Sequence, residues 1–388
     1  MVGSYPVPSP FVVPKFNKKI LEAENHMKTN EIKKLEKRRN KNNLWYLTIL
    51  IFILILCIAI SASFGSADLS VTDSLKIIAS RIPYLGKFIN ISEITKVNPN
   101  YPKIVWQIRM PRILLAGFVG CGLSVVGAAF QGLFRNPLAD PHILGVSSGA
   151  AVGATIAMLS GIGFGFLGLG VIGTFAFIGA LLTAFIVYRL SCVGNKLPVV
   201  NILLTGTVVS TLLSSTISLL MTFNHDKIEK VYLWTLGSFS AATWDRVLFL
   251  AIFTVICCGV INVFSRELDV LTTGNDTAES LGINTAWIKK ILIMAASLQV
   301  AACVSVSGII GFVGLVIPHC IRIISGSKHK VLLPLSGLGG AIFMIICDTI
   351  ARNAVAPSEI PVGVITAMLG TPYFIYLLQR NKRKEMLH

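Results

Sequence analysis

The residues in this chain best placed to do chemistry are few and charged. Arg109 and Arg112 stand three apart, just before an uncharged run from Ile113 to Phe134. Asp348 precedes Arg352 by four residues, which puts both on one helix face with the acid N-terminal to the base, the favoured order. Charges inside or at the mouth of an apolar segment are functional candidates by default. Two readings stay open. A rim of arginines would dock an acidic partner or attract an anionic solute. Alternatively, Arg109 and Arg112 snorkel to lipid phosphates while Arg352 pairs with Asp348 to fix helix ends. Elsewhere, Asp276-x-x-Glu279 has the spacing of a capping box, and Gly282 follows Leu281 as a C-terminal cap. Together they predict a short exposed helix, either an ordinary loop helix or a contact element for a partner. His319 and Cys320 are adjacent, but no third ligand completes a metal set.

No phosphate-binding loop, nucleophile elbow, zinc-protease helix or pair of carboxylates at catalytic spacing occurs. No catalytic residue, cofactor site or metal ligand is therefore assigned, and an intramembrane enzyme has no constellation to support it. The eight cysteines lie mostly in apolar runs without a CxxC, the pattern of small buried hydrophobes. Neither a disulfide nor a metal site is expected.

The elements that must position the charges are membrane helices. The chain is 54% hydrophobic and 13% charged, with mean hydropathy +0.74. Soluble domains carry about 25% charged residues, so the apolar excess must face lipid or pack inside a bundle. The net charge of +16 is not read as a nucleic-acid signal, because much of it sits in the two termini. Basic flanks beside apolar spans mark cytoplasmic ends.

Helix length then counts the spans. Leu44–Ser63 is the first, too long and too far from the start for a cleaved signal. Gly65–Gln107 is a long polar connection, with a helix over 73–83 and no core of its own. Ile113–Phe134 is the second span, followed by the NPLADP turn, Asn136–Pro141. Ile143–Tyr188 would measure about 69 Å as one helix against a ~30 Å hydrocarbon core, so it must be two spans broken within Gly161–Gly170. Val199–Phe223 is the fifth span, rich in Ser and Thr that back-bond or face a wet path. Val247–Phe264 is the sixth. Ile291–Ile324, about 51 Å as one helix, must be two more, broken at Gly308, Gly311 and Gly314. Leu332–Cys347 and Val362–Leu378 complete ten. Ten spans put both basic termini on one side, the cytoplasmic one. The chain thus divides into a basic tail over 1–43, a ten-helix membrane domain over 44–378 and a basic tail over 379–388.

In order, RMPR…QGLFRNPLADPHILGVSSGAAVGA, WTLGSFS, AESLGIN, GIIGFVGLVIPHCIRI, DTIAR and EIPVGVITAMLGTPYFIYLL resemble the FecCD/BtuC-type permeases. These are the membrane subunits of type II ABC importers for iron–siderophores, haem and vitamin B12. The resemblance covers Leu44 to Leu378; the 1–43 tail is longer than such permeases carry. It implies an all-α fold of ten transmembrane helices and a homodimer with the pathway on its two-fold axis. It also implies two cytoplasmic ATP-binding subunits and an extracytoplasmic substrate-binding protein, in the cytoplasmic membrane of a prokaryote. Matched by motif, Arg109, Arg112 and Arg352 are expected to receive acidic side chains of the binding protein. Thr277, Ala278, Glu279, Ser280, Leu281, Gly282, Ile283 and Asn284 match the coupling segment that meets the ATPase, within coupling helices over about 272–288. Leu197, Pro198, Val199, Val200 and Asn201 fall at the family's inner gate, apolar enough here to form a seal. ATP hydrolysis belongs to the separate subunit. The rival reading, an ion-coupled secondary transporter, needs midplane ionisable groups, and only Asp348 and Arg352 approach the membrane.

Overall fold

In the computed structural model, residues 43–385 are described apart from 66–68, 82, 83, 85, 162–164, 166, 167, 195, 196 and 356. The basic tail expected over 1–43 lies outside the described residues except for Asn43. Packing divides the chain into Met1–Thr48 and Ile49–His388. The described part of the first unit is the opening of one helix; the packing below belongs to the second.

The described residues form an all-α protein. Its helices are α1 (Asn43–Ser63), α2 (Val71–Ser80), α3 (Ser92–Val97), α4 (Tyr101–Leu133), α5 (Val146–Ser160), α6 (Gly170–Ser191), α7 (Val199–Thr222) and α8 (Ile228–Thr235). They continue as α9 (Trp244–Val263), α10 (Ser265–Thr273), α11 (Asn275–Ser280), α12 (Thr285–Ser307), α13 (Val313–Ser325), α14 (His329–Asn353) and α15 (Val362–Glu385). Seven of them, α1, α4, α6, α7, α9, α12 and α14, are long and apolar enough to cross a membrane. Three shorter apolar helices accompany them: α5, α13 and the Val362–Leu377 part of α15. Both long apolar runs break where helix length requires it, at Gly161 (φ 64°) and Gly308 (φ 71°).

Helix ends depart from the apolar runs that predicted them. The α4 helix starts at Tyr101 instead of Ile113 and passes through a wider π-type turn at Ile104–Arg109. The α12 helix starts at Thr285 instead of Ile291, and α14 extends past Cys347 to Asn353. The α15 helix runs into the region expected to be a separate tail. The helix ladder is made by main-chain N–H and C=O groups, so it continues through polar residues that do not belong to the apolar run. The 65–107 connection shows no periodic core along the chain, but Leu69, Ile77, Ile94 and Val105 form a small irregular one with Met110, and Trp106 and Trp244 lie beside it. The Trp244 indole also donates to the Trp106 carbonyl at 3.0 Å. The members of this core are scattered from Leu69 to Met110 at irregular intervals, and Trp244 joins them from α9, so no local periodicity announces it.

The α4 helix is the centre of the bundle, with 78% of its apolar window buried, against 11% for α1 and α7. It packs antiparallel to α14. Near its end, a Cβ added at Gly132 would meet the His329 ring, while Arg112 near its start meets Asp348. Between these points the backbones nearly touch. A Cβ at Gly120 would lie 2.6 Å from the Gly340 carbonyl carbon, and one at Gly127 2.7 Å from the Gly314 Cα. Small residues make this approach possible where lipid supplies no hydrophobic force between helices.

These contacts predict unequal costs for one substitution. Gly120→Val should lower the thermal midpoint in detergent, by an overpacking cost of about 1–3 kcal/mol. A Cβ at Gly259 meets nothing within 4 Å. Gly259→Val should therefore stay within about 0.5 kcal/mol of wild type. Equal midpoints for the two variants would contradict the packing described here.

Candidate functional site

The charges singled out by spacing come together at one end of the bundle. Arg112, inside the first turn of the apolar part of α4, donates from Nε to Asp348 Oδ1 at 2.9 Å, and its Nη2 lies 2.9 Å from the same oxygen. Its Nη1 reaches Glu359 Oε1 at 2.8 Å and Oε2 at 3.0 Å. Arg352 approaches Asp348 Oδ2 from within α14 at 3.3 Å, the i,i+4 pair its spacing predicted. Arg109 Nη1 donates to the carbonyls of Ala62 and Ser63 at 2.7 and 2.9 Å. Arg352 Nη2 donates to the Ser61 carbonyl at 3.1 Å, and its Nη1 to the Phe64 carbonyl at 3.3 Å.

Two guanidiniums therefore sit on the last carbonyls of α1. A helix leaves its final carbonyls without intrahelical partners and carries negative partial charge there, so cations are stabilising at that end. The cluster is dry: Arg109, Arg112 and Asp348 are 4%, 8% and 1% exposed. Neither Arg109 nor Arg112 snorkels outward. Glu359 is the open member, its side chain 41% exposed. Reasoning from spacing missed Glu359 and the α1 carbonyls. The only signal was an acid opening the EIPVGV run, in a stretch otherwise apolar.

At the opposite end, the short exposed helix expected around Asp276–Leu281 forms as α11, with α10 preceding it. The α10 and α11 helices are broken at Gly274 (φ 137°), and α11 has Gly274 at its N-cap with no side-chain cap. The Asp276–Glu279 capping box does not form. Glu279 instead accepts from Thr285 Oγ1 at 2.7 Å, because Thr285 opens α12 within its reach. The C-terminal cap does form at Gly282 (φ 81°). Its N–H reaches the Glu279 carbonyl at 2.9 Å, and Ile283 N–H reaches that of Ala278 at 3.0 Å, a Schellman pair. Asn284 then caps α12 by accepting from Trp287 N–H at 3.0 Å. Ala278 is buried, while Thr277, Glu279, Ser280, Leu281, Gly282 and Asn284 are exposed. Leu281 is 67% exposed, an apolar side chain held out by a rigid turn. Asp269 of α10 accepts from the His329 backbone N–H at 2.8 Å and pairs with its Nδ1 at 2.6 Å, which caps α14 and ties it to this element.

The Leu197–Asn201 segment leads into α7, with Pro198 at the N-cap and Val200 63% exposed. Val200, Leu204, Val208 and Leu212 follow at four-residue intervals, and each is more than 60% exposed. Thr207 and Thr211 back-bond within the helix at 2.8 and 3.0 Å. One face of α7 is thus unpartnered among the described residues. The NPLADP segment does not simply skirt the surface. Pro141 begins a 3-10 turn, capped by Asp140 at the His142 N–H (2.8 Å), and its ring lies against Gly314.

Removing the carboxylate at the heart of the cluster should be costly. Asp348→Ala leaves two buried guanidiniums facing each other and should destabilise the purified protein by roughly 3–5 kcal/mol. Glu359→Ala removes an exposed partner and should cost no more than about 1 kcal/mol. Denaturation of the two variants side by side checks this; a larger loss at Glu359 would overturn the assignment of Asp348 as the centre.

A family model, the FecCD transport family, matches residues 53–380. The cobalamin import system permease of Halobacterium salinarum is 42% identical over 285 residues, 73% of this chain and 75% of its own. The hemin transport system permease of Yersinia pestis is 40% identical, over 72% of this chain and 85% of its own. A Fe(3+)-citrate import system permease of Bacillus subtilis is 35% identical over 89% of this chain and 98% of its own. Among solved structures, an inward-facing metal-chelate type ABC transporter superposes with TM-score 0.73 at 32% identity, covering 86% of this chain and 98% of that one. The chain belongs to the FecCD transport family, as the permease subunit of an ABC importer, whose ATPase activity resides in a separate subunit.

Proposed function

We propose that the chain carries an iron–siderophore complex, or a related large chelate such as haem or cobalamin, across the cytoplasmic membrane. The relatives named for cobalamin, hemin and Fe(3+)-citrate support this cargo class. Two copies form the permease, with two ATP-binding subunits inside and a substrate-binding protein outside. The seven long and three shorter apolar helices make ten crossings, with both basic termini cytoplasmic. The α10–α11 end is then the inner face and the Asp348 cluster the outer one.

The observation that carries the mechanism is the connection between these two ends. The α14 helix has 25 residues, and Asp269 caps its start while Arg112 and Arg352 hold its end. At 1.5 Å per residue it spans about 38 Å, enough to link an ATPase contact to a docking contact. ATP-driven closure of the partner subunits pushes on Thr277–Asn284, with Leu281 as the apolar contact. The response is a two-state re-orientation biased by a ligand on another chain. The unpartnered face of α7 lines the pathway against its copy, with Leu197–Asn201 as the inner seal. At the outer face, an acidic side chain of the binding protein takes the place of exposed Glu359 on Arg112. Arg109 and Arg352 hold the frame on which that exchange occurs.

Reconstitution tests this. Permease with its ATPase in liposomes should hydrolyse ATP faster when loaded binding protein is added, and Leu281→Glu should abolish that stimulation without loss of folded protein. Glu359→Gln should lower the binding-protein concentration needed for half-stimulation severalfold, because Arg112 is then free to pair with the partner. Gradient-driven uptake by the permease alone, or no response to loaded binding protein, would sink the proposal.

A further inference from the structure

On the side of the bundle, three helices leave a groove whose chemistry matches a membrane component. It lies between α6, α9 and α12 and encloses 610 Å³, in the range of small-molecule sites, about 300–1,000 Å³. Each helix contributes a row at four-residue spacing, one face of a helix. On α6 the row is Leu181, Phe185 and Arg189; on α12 it is Lys290, Met294 and Leu298; on α9 it is Ile256 and Val260. The apolar members stay open to the surroundings, with Phe185 62%, Met294 59% and Ile256 56% exposed.

The charged members share one end. Arg189 lies in the last turn of α6 and Lys290 in the second turn of α12, and both line the groove with Tyr188. Both cations are exposed. No described carboxylate lies within ion-pair distance of either. From Arg189 to Leu181, and from Lys290 to Leu298, the rows extend eight residues, about 12 Å of helix. That is close to the depth of one leaflet of a ~30 Å hydrocarbon core. An apolar trough one leaflet deep, with two unopposed cations and a phenol at its mouth, fits a phosphodiester headgroup above an acyl chain.

We infer that this groove is a binding site for an anionic phospholipid, which Arg189 and Lys290 hold by its phosphate while an acyl chain lies along Phe185, Ile256 and Met294. The inference is independent of cargo and of the partner subunits. Cations near a membrane surface favour anionic lipid by about fivefold each, so roughly 30-fold for two.

The test is native mass spectrometry of the full-length permease, extracted in mild detergent from membranes of phosphatidylethanolamine and phosphatidylglycerol. Wild type should retain phosphatidylglycerol well above its share of the supply. The Arg189→Gln, Lys290→Gln double variant should lose that enrichment roughly 30-fold. Met294→Trp, which fills the trough and leaves the charges in place, should lower retention of both lipids. Retention by wild type in proportion to supply would overturn the site, whatever the variants do. So would wild-type enrichment in the double variant, or undiminished retention by Met294→Trp.

Discussion

The structure depends on one carboxylate that cannot reach water. Asp348 is 1% exposed in a helix apolar enough to cross a membrane. Isolated there it would cost several kcal/mol, so the surroundings must supply opposite charge in good geometry. Arg112 does so from α4 and Arg352 from one turn further along α14. Two arginines on one acid carry surplus positive charge, and the chain uses it. Glu359 takes the far side of Arg112, and the terminal carbonyls of α1 take Arg352 and Arg109. The α1 helix otherwise buries little of its surface, so these bonds do much to place its end.

The rest of the bundle is arranged by close backbone approach. Gly120 against Gly340 and Gly127 against Gly314 bring α14 and α13 onto α4 with no side chain between them. Such contacts leave no room for gradual sliding, because interiors packed this tightly are not continuously deformable. The helices around α4 therefore form a stiff frame. The WTLGSFS run serves that frame too: Gly237 accepts from Val362 N–H at 3.1 Å, and Ser238 donates to the Ser307 carbonyl at 2.8 Å, which joins α12 to α15. Gly237 adopts φ 72° with the Ile309 carbonyl beside it, a position that excludes a Cβ. By contrast α7 leaves the face of Val200, Leu204, Val208 and Leu212 exposed among the described residues.

Much of this was legible along the chain. Helix length against bilayer thickness required one break within Gly161–Gly170 and another among Gly308, Gly311 and Gly314, since neither apolar run fits one crossing as a single helix. The i,i+4 spacing of Asp348 and Arg352 and the glycine cap after Leu281 are local geometry, and both formed as read. Local reading was less secure at helix ends. The capping box lost its Glu279 to Thr285, and the helix starts at Tyr101 and Thr285 lay upstream of the apolar runs.

What the amino-acid sequence determined by itself was the membrane class, the sites of the helix breaks, the exposed turn and the family. Each depends on hydropathy, residue spacing or the φ freedom of glycine, all of which act over a few neighbouring residues. Which groups within the chain Arg109, Arg112 and Arg352 meet was decided only by the tertiary structure. A guanidinium goes where carboxylates and orphan carbonyls are, and Asp348, Glu359 and the end of α1 lie up to 247 residues from Arg112. Only the packing of α4 against α14 brings them within 3 Å.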